Sequence, residues 1–248
     1  KYVASSIREV AYDTYIYDVK SVTIVEIMGR DAGWLTAATV LARNDFSAAP
    51  HLIYLPEVSF DKKRFIKDVE NELKKHKNVI VAVSEGIHDA EGNYIASSTA
   101  KEDKFGHAQL SGAGKVLEYL VKEELGVKVR SIEINVLQRS AGHMASKTDL
   151  EEAIGLGNAA VGFTEAGSTG FMTVIKRLTD NPYTYEIGIA DVSDIANKAK
   201  PVPVEWISKG CNNVKKELID YVKPLVEGEI DGFYKDGIVD YVPVSHLV

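Results

Sequence analysis

Short β-branched runs alternate with amphipathic stretches through the first half of the chain, and few folds admit that alternation. The runs at 22–28 (VTIVEIM), 51–55 (HLIYL), 79–83 (VIVAV) and 128–134 (KVRSIEI) read as strands. Helices are expected between them, at 31–43, 61–77 and 111–125. In 61–77, Phe65, Ile66, Val69 and Leu73 make one apolar stripe, and lysines cover the rest. In 31–43, Trp34, Leu35, Ala38, Leu41 and Ala42 share a face. In 111–125, Val116, Leu117, Leu120 and Val121 point inward, and Gly126 is placed to end the helix. Strands that are apolar on both sides suit a parallel sheet covered on both faces. The predicted fold is α/β: a wound, mainly parallel sheet with flanking helices, followed by a C-terminal α/β part with a β-hairpin.

That later part reads differently. Thr148 to Glu151 has the spacing of a capping box, so a helix is expected to start there and run to about Glu165. It carries Gly155, Gly157 and Gly162, which predict a close backbone approach. Alternating runs at 171–177 and 183–189, joined through Asn181 and Pro182, predict a hairpin. A last helix is expected at 213–226, and the polar stretch 86–106 reads as a long loop of functional type. The predicted division is 1–138 and 139–248. Val3, Ile7 and Val10 already stand at helical spacing when the chain opens at Lys1. The sequence therefore reads as a fragment, with residues missing on the N-terminal side.

Composition narrows the function classes. Lys and Arg total 29 and Asp and Glu total 36, so the net charge is −7. Such a chain has no general pull toward nucleic acid or an anionic membrane. Any anion it binds must meet a local cluster of cations. The single cysteine, Cys211, excludes an internal disulfide framework and a Cys-rich zinc site, and suits the cytoplasm. No apolar run reaches the roughly 20 residues of a bilayer span, and no signal peptide is expected.

In wound sheets ligands sit beyond the carboxyl ends of the strands. Met28, Gly29 and Arg30 follow the first strand there, a turn and a guanidinium suited to phosphate. Glu85 follows the third strand, placed to accept hydrogen bonds from ligand hydroxyls. Arg130 and Arg139 flank the end of the fourth. Alone, each also fits a plain surface turn; three arginines at strand ends of an acidic chain favour an anion pocket. Glu57 reads first as part of a strand stop, His143 as a loop histidine, and Cys211 as a small residue beginning a helix. There is no P-loop pattern, no G-x-G-x-x-G after a strand, no paired metal ligands and no acid placed to activate a sugar hydroxyl.

At these residues the sequence resembles the phosphofructokinase family. The carriers are VTIVEIMGRDAGWLTAA (22–38), LIYLPEV (52–58), VIVAVSEG (79–86) and SIEINVLQRSAGHMASKTD (131–149). The LQRSAGHMASKTD form looks most like the long bacterial pyrophosphate-dependent branch. The resemblance implies phosphoryl transfer from pyrophosphate, or alternatively ATP, to the 1-hydroxyl of fructose 6-phosphate, a step of glycolysis, with Mg²⁺ bound mainly through the donor. It implies that Met28, Gly29 and Arg30 contact the sugar phosphate, that Glu85 holds sugar hydroxyls and that Arg139 binds the 6-phosphate. Lys20 and Arg130 would reach that site from a neighbouring subunit, which implies a homo-oligomer, a dimer or tetramer. Some allosteric members bind an effector near Glu57, a role not carried over here. Val136 stands where relatives have His or Tyr, and Ser21 where ATP-dependent members have an intersubunit arginine, with Lys20 as substitute. The family's glycine-rich donor loop and the element with the catalytic base would precede Lys1, so no catalytic residue is expected in this chain and the fragment is expected to be inactive. The 1–138 part would be the sugar-phosphate half, and 139–248 would partly belong to the donor half. The alternative from another class is a non-catalytic sugar-phosphate-binding or regulatory subunit.

Overall fold

The computed structural model describes residues 1–96, 112–231 and 234–241. The chain divides into two units. The first comprises Val3–Gln138 and Ala199–Val222; the second comprises Lys1–Tyr2, Arg139–Lys198 and Lys223–Val248.

The first unit is built on strands β1 (Ser21–Ile27), β2 (Leu52–Tyr54), β3 (Asn78–Ser84) and β4 (Lys128–Glu133). They lie in the order β2-β3-β1-β4, and every neighbouring pair is parallel. All residues of β1 and β3 are buried, as their mostly apolar, β-branched runs predict. Successive side chains point to opposite faces. On one face Val22, Ile24, Val79, Val81 and Val83 meet Phe65 and Val69 of α3 (Lys62–Lys75), together with Leu117 and Val121 of α4 (Ala113–Leu125). Val25, Ile27, Ile80 and Ala82 point the other way and are equally buried. The helix α1 (Tyr2–Tyr15) buries Val3, Ile7 and Ala11, in agreement with the helical spacing at the start.

Local chemistry sets the helix ends. Asp61 caps α3 by accepting the Arg64 N–H at 3.0 Å. Gly126, at φ 62°, closes α4 in the left-handed conformation. The helix expected at 31–43 is shorter: α2 spans Trp34–Ala38, and a tight 3₁₀ turn follows over Thr39–Ala42. It starts late because Arg30 takes φ 49°, outside the helical region, and Ala32 N–H closes a turn on the Gly29 carbonyl; carboxylates hold the N–H groups of this turn. Glu85 takes that of Arg30 and Glu57 takes that of Gly33. The inward face shifts with it, so Thr36, Ala37 and Val40 are buried while Leu35 is exposed.

The segment 199–222 is tied to this unit. Glu57 Oε1 accepts from both Gly33 N–H and Val202 N–H, each at 2.8 Å. Ile53 N–H donates to the Asn212 carbonyl at 2.9 Å, which covers the open edge of β2. Trp34 Nε1 donates to the Lys200 carbonyl at 2.7 Å, and its ring lies 5.2 Å from Tyr221. The last helix, expected at 213–226, begins only at Lys216: α7 spans Lys216–Val222 and a 3₁₀ turn follows over Lys223–Val226. Cys211 begins no helix; it sits in the preceding loop with φ 51°.

In the second unit α6 (Lys147–Glu165) packs on the hairpin of β5 (Phe171–Asp180) and β6 (Tyr183–Asp191). The hairpin and its Asn181–Pro182 turn are as expected. The cap is not at Thr148: Ser146 accepts the Asp149 N–H at 3.0 Å, and the Thr148 hydroxyl goes to the Glu227 carbonyl. The serine-to-acid spacing simply occurs earlier in the chain. Of the three helix glycines only Gly155 meets a close neighbour, where an added Cβ would stand 3.0 Å from Ile187 Cδ1. Gly157 and Gly162 face open space, and Leu150, Ile154 and Val161 are exposed. No described helix is long and apolar enough to cross a membrane. The expected loop 86–106 is described to residue 96; residues 97–106 lie outside the described residues.

Glu57→Ala should lower the unfolding free energy by about 2–3 kcal/mol, since two buried N–H donors lose a charged acceptor. The urea midpoint reads this. An unchanged midpoint would mean that 199–222 is held without Glu57.

Candidate active site

The carboxyl ends of β1 and β3 lie side by side, because Ile27 pairs with Ser84. The two residues that continue each strand are therefore brought together. Glu85 is buried at the tip of β3, 6% exposed. Its Oε1 accepts from Gly29 N–H at 3.2 Å and from Arg30 N–H at 3.0 Å. Consecutive N–H groups converging on one oxygen form a small backbone nest, which here grips a side chain. Both bonds go to Oε1 and neither uses Oε2. Arg30 takes φ 49°, an uncommon backbone for a residue with a side chain.

This turn needs glycine at two places. A Cβ on Gly86 would lie 1.8 Å from the Arg30 carbonyl oxygen, which no adjustment of a side chain relieves. A Cβ on Gly29 would lie 2.7 Å from the Ala32 carbonyl oxygen, the group side of a turn closed by an Ala32 N–H to Gly29 hydrogen bond of 3.1 Å.

On the other flank stands Gln138, in the short helix α5 (Leu137–Ser140). Its Oε1 accepts from Met28 N–H at 3.0 Å, and its Nε2 donates to the Met28 carbonyl at 3.1 Å. Met28, Gly29 and Arg30 are thus each held by a side chain from an adjoining strand end. Arg139 follows Gln138 directly and opens the second unit; its side chain is exposed.

Two expected residues lie elsewhere. Arg130 does not flank the end of β4. It pairs with Thr23 in mid-strand, forms an ion pair with Asp13 at 3.5 Å and lies 5.9 Å from the Tyr17 ring. The strand itself is nearly as expected, ending at Glu133, but Arg130 is its third residue and stands three before that end. Lys20 precedes β1 and is exposed at the opposite end of a seven-residue strand, about 20 Å from the 28–30 turn. Within this chain neither is brought to that turn. His143 lies in the second unit, its ring 6.5 Å from Tyr234.

Sequence reading gave no role to Gln138 or Glu26. Glu26 is 4% exposed, and its two oxygens accept from Gly112 N–H at 3.1 Å and Gly114 N–H at 2.7 Å at the start of α4. Burial pushes its pKa from 4.5 up to about 7; the Glu133 and Glu85 carboxylates push the same way, and the two N–H bonds offset only part. An acid within an apolar run, VTIVEIM, was the signal available. Among the described residues no group of three His, Cys, Asp or Glu could hold a metal ion.

Comparison with known proteins gives a family. The Phosphofructokinase family model matches residues 2–164. A pyrophosphate–fructose 6-phosphate 1-phosphotransferase of Methylococcus capsulatus is 38% identical over 249 residues, covering 100% of this chain and 59% of its own length. One from Xanthomonas campestris is 40% identical over 250 residues, covering 100% and 60%. The crystal structure of a pyrophosphate-dependent phosphofructokinase from Nitrosospira multiformis superposes with a TM-score of 0.85 at 36% identity, covering 98% of this chain and 57% of that one. The chain therefore spans about three fifths of the length of these curated relatives.

Glu26 generates a pH prediction. Its proton is held more tightly in the folded chain than in the unfolded one, so its stabilising contribution is complete below pH 4.5 and lost as pH rises through about 7. The loss is on the order of 3 kcal/mol. Urea midpoints of the wild type should fall over that window relative to Glu26→Gln, where this component is absent. Parallel curves for the two proteins would contradict the assignment.

Proposed function

The chain belongs to the phosphofructokinase family, and from that premise we propose that it supplies the sugar-phosphate half of an enzyme transferring a phosphoryl group from pyrophosphate to the 1-hydroxyl of fructose 6-phosphate. The observation that carries this reading is the 28–30 turn, held by Glu85 from one side and Gln138 from the other. Phosphoryl transfer demands little covalent chemistry of a protein; it demands position and charge neutralisation. A turn pinned at three consecutive residues provides position, and its arginine provides charge.

In this reading Met28, Gly29 and Arg30 line the bound sugar phosphate. Glu85 uses Oε1 to hold the turn and Oε2 to accept a sugar hydroxyl. Arg139 neutralises the 6-phosphate. Lys20 and Arg130 act in a neighbouring subunit, and their distance from the turn within their own chain supports that arrangement. The enzyme is then a homo-oligomer. Mg²⁺ enters with the phosphates of the donor; the described residues offer it no cluster of ligands, and no step is assigned to it. The proton of the 1-hydroxyl needs a base, and none is assigned to residues 1–248. Pyrophosphate is the favoured donor because the relatives that cover the whole chain are named for it. A cytoplasmic location follows from that substrate class.

Full-length protein, assayed with fructose 6-phosphate and either pyrophosphate or ATP, tests the reading and selects the donor. Arg30→Ala should cut kcat/KM for the sugar phosphate by about 100-fold, as expected for loss of a charge-assisted contact of roughly 3 kcal/mol. An unchanged value would remove Arg30 from the site.

A further inference from the structure

We propose that Gln138 is a positioning residue of the sugar-phosphate site, its side-chain amide forming one extra rung of the β1–β4 ladder that sets the 28–30 turn. The inference rests on the function proposed above and adds a residue to it.

The backbone ladder runs from Ser21 opposite Lys128 to Glu26 opposite Glu133, and Ile134 N–H adds a last bond to the Glu26 carbonyl at 3.2 Å. There the neighbouring backbone departs. Asn135 takes φ 49°, and α5 begins at Leu137. Along a parallel strand the N–H and C=O of alternate residues face the same neighbour. Glu26 bonds toward β4 and Ile27 toward the residue after β3, since Glu85 N–H donates to the Ile27 carbonyl at 3.0 Å. Met28 must therefore bond toward β4, where no strand remains. Gln138 fills the gap with both groups of one planar amide, accepting at 3.0 Å and donating at 3.1 Å. It does what a peptide unit of a longer β4 would do.

Only a primary amide of this reach satisfies both groups. A glutamate has no proton for the Met28 carbonyl, and a methionine has neither function. The two bonds also fix which end of the amide is oxygen, because the reversed amide would set donor against donor. Glu85 holds the next two N–H groups but not Met28. Without Gln138 the turn would be pinned at its far end and loose at its root.

The test uses full-length protein with Gln138→Met and Gln138→Glu, the second keeping one of the two bonds. Both should raise KM for fructose 6-phosphate about tenfold, with a smaller change in kcat and none in KM for the phosphoryl donor. Amide exchange in the peptide containing Met28 should speed up in both, with other β1 amides unchanged. A wild-type enzyme active on fructose 6-phosphate whose variants keep its KM overturns the inference, as does unchanged exchange at Met28. A wild type inactive on fructose 6-phosphate with either donor fails the function reading itself, and the assignment of Gln138 to a sugar-phosphate site falls with it.

Discussion

The Glu85 carboxylate bridging from the tip of β3 to the turn after β1 is the contact on which the site depends. It works because Ile27 and Ser84 are in register and because Gly86 lets the Arg30 carbonyl come close. The same device recurs twice in the first unit. Glu26 binds the N–H groups of Gly112 and Gly114, and Glu57 those of Gly33 and Val202. Charge-assisted bonds to backbone are stronger than neutral ones and hold a loop without a strand partner. Three acids are thereby engaged by backbone amides at the carboxyl side of the sheet.

Much of the scaffold was legible in the sequence. The mostly apolar, β-branched runs of β1 and β3 and the stripe of α3 leave little choice, because burial on both faces and on one face write different periods. Two failures share a cause. The cap at Ser146 and the role of Gln138 both depend on side-chain bonds to distant or shifted backbone, which have no period. Arg130 was expected beside the end of β4 although the strand was read to Ile134; it stands in mid-strand, opposite Thr23. The residue types at the strand ends were legible, but not that Glu85 Oε1 accepts the Gly29 and Arg30 N–H groups and so shapes the turn.

The second unit shows how packing reports on its setting. One face of α6 lies on the hairpin, through Gly155 near Ile187 and Phe163 near Phe171. Its other face, with Leu150, Ile154 and Val161, is apolar and exposed.

The central claim is that the 28–30 turn, shaped by Glu85 and Gln138, receives a phosphorylated hexose. A crystal structure of the full-length protein soaked with fructose 6-phosphate tests it most directly. The account predicts the sugar against Met28, Gly29 and Arg30, with a hydroxyl on Glu85 Oε2 and the phosphate on Arg139. Sugar bound elsewhere, with no hydroxyl on Glu85 Oε2, would contradict it.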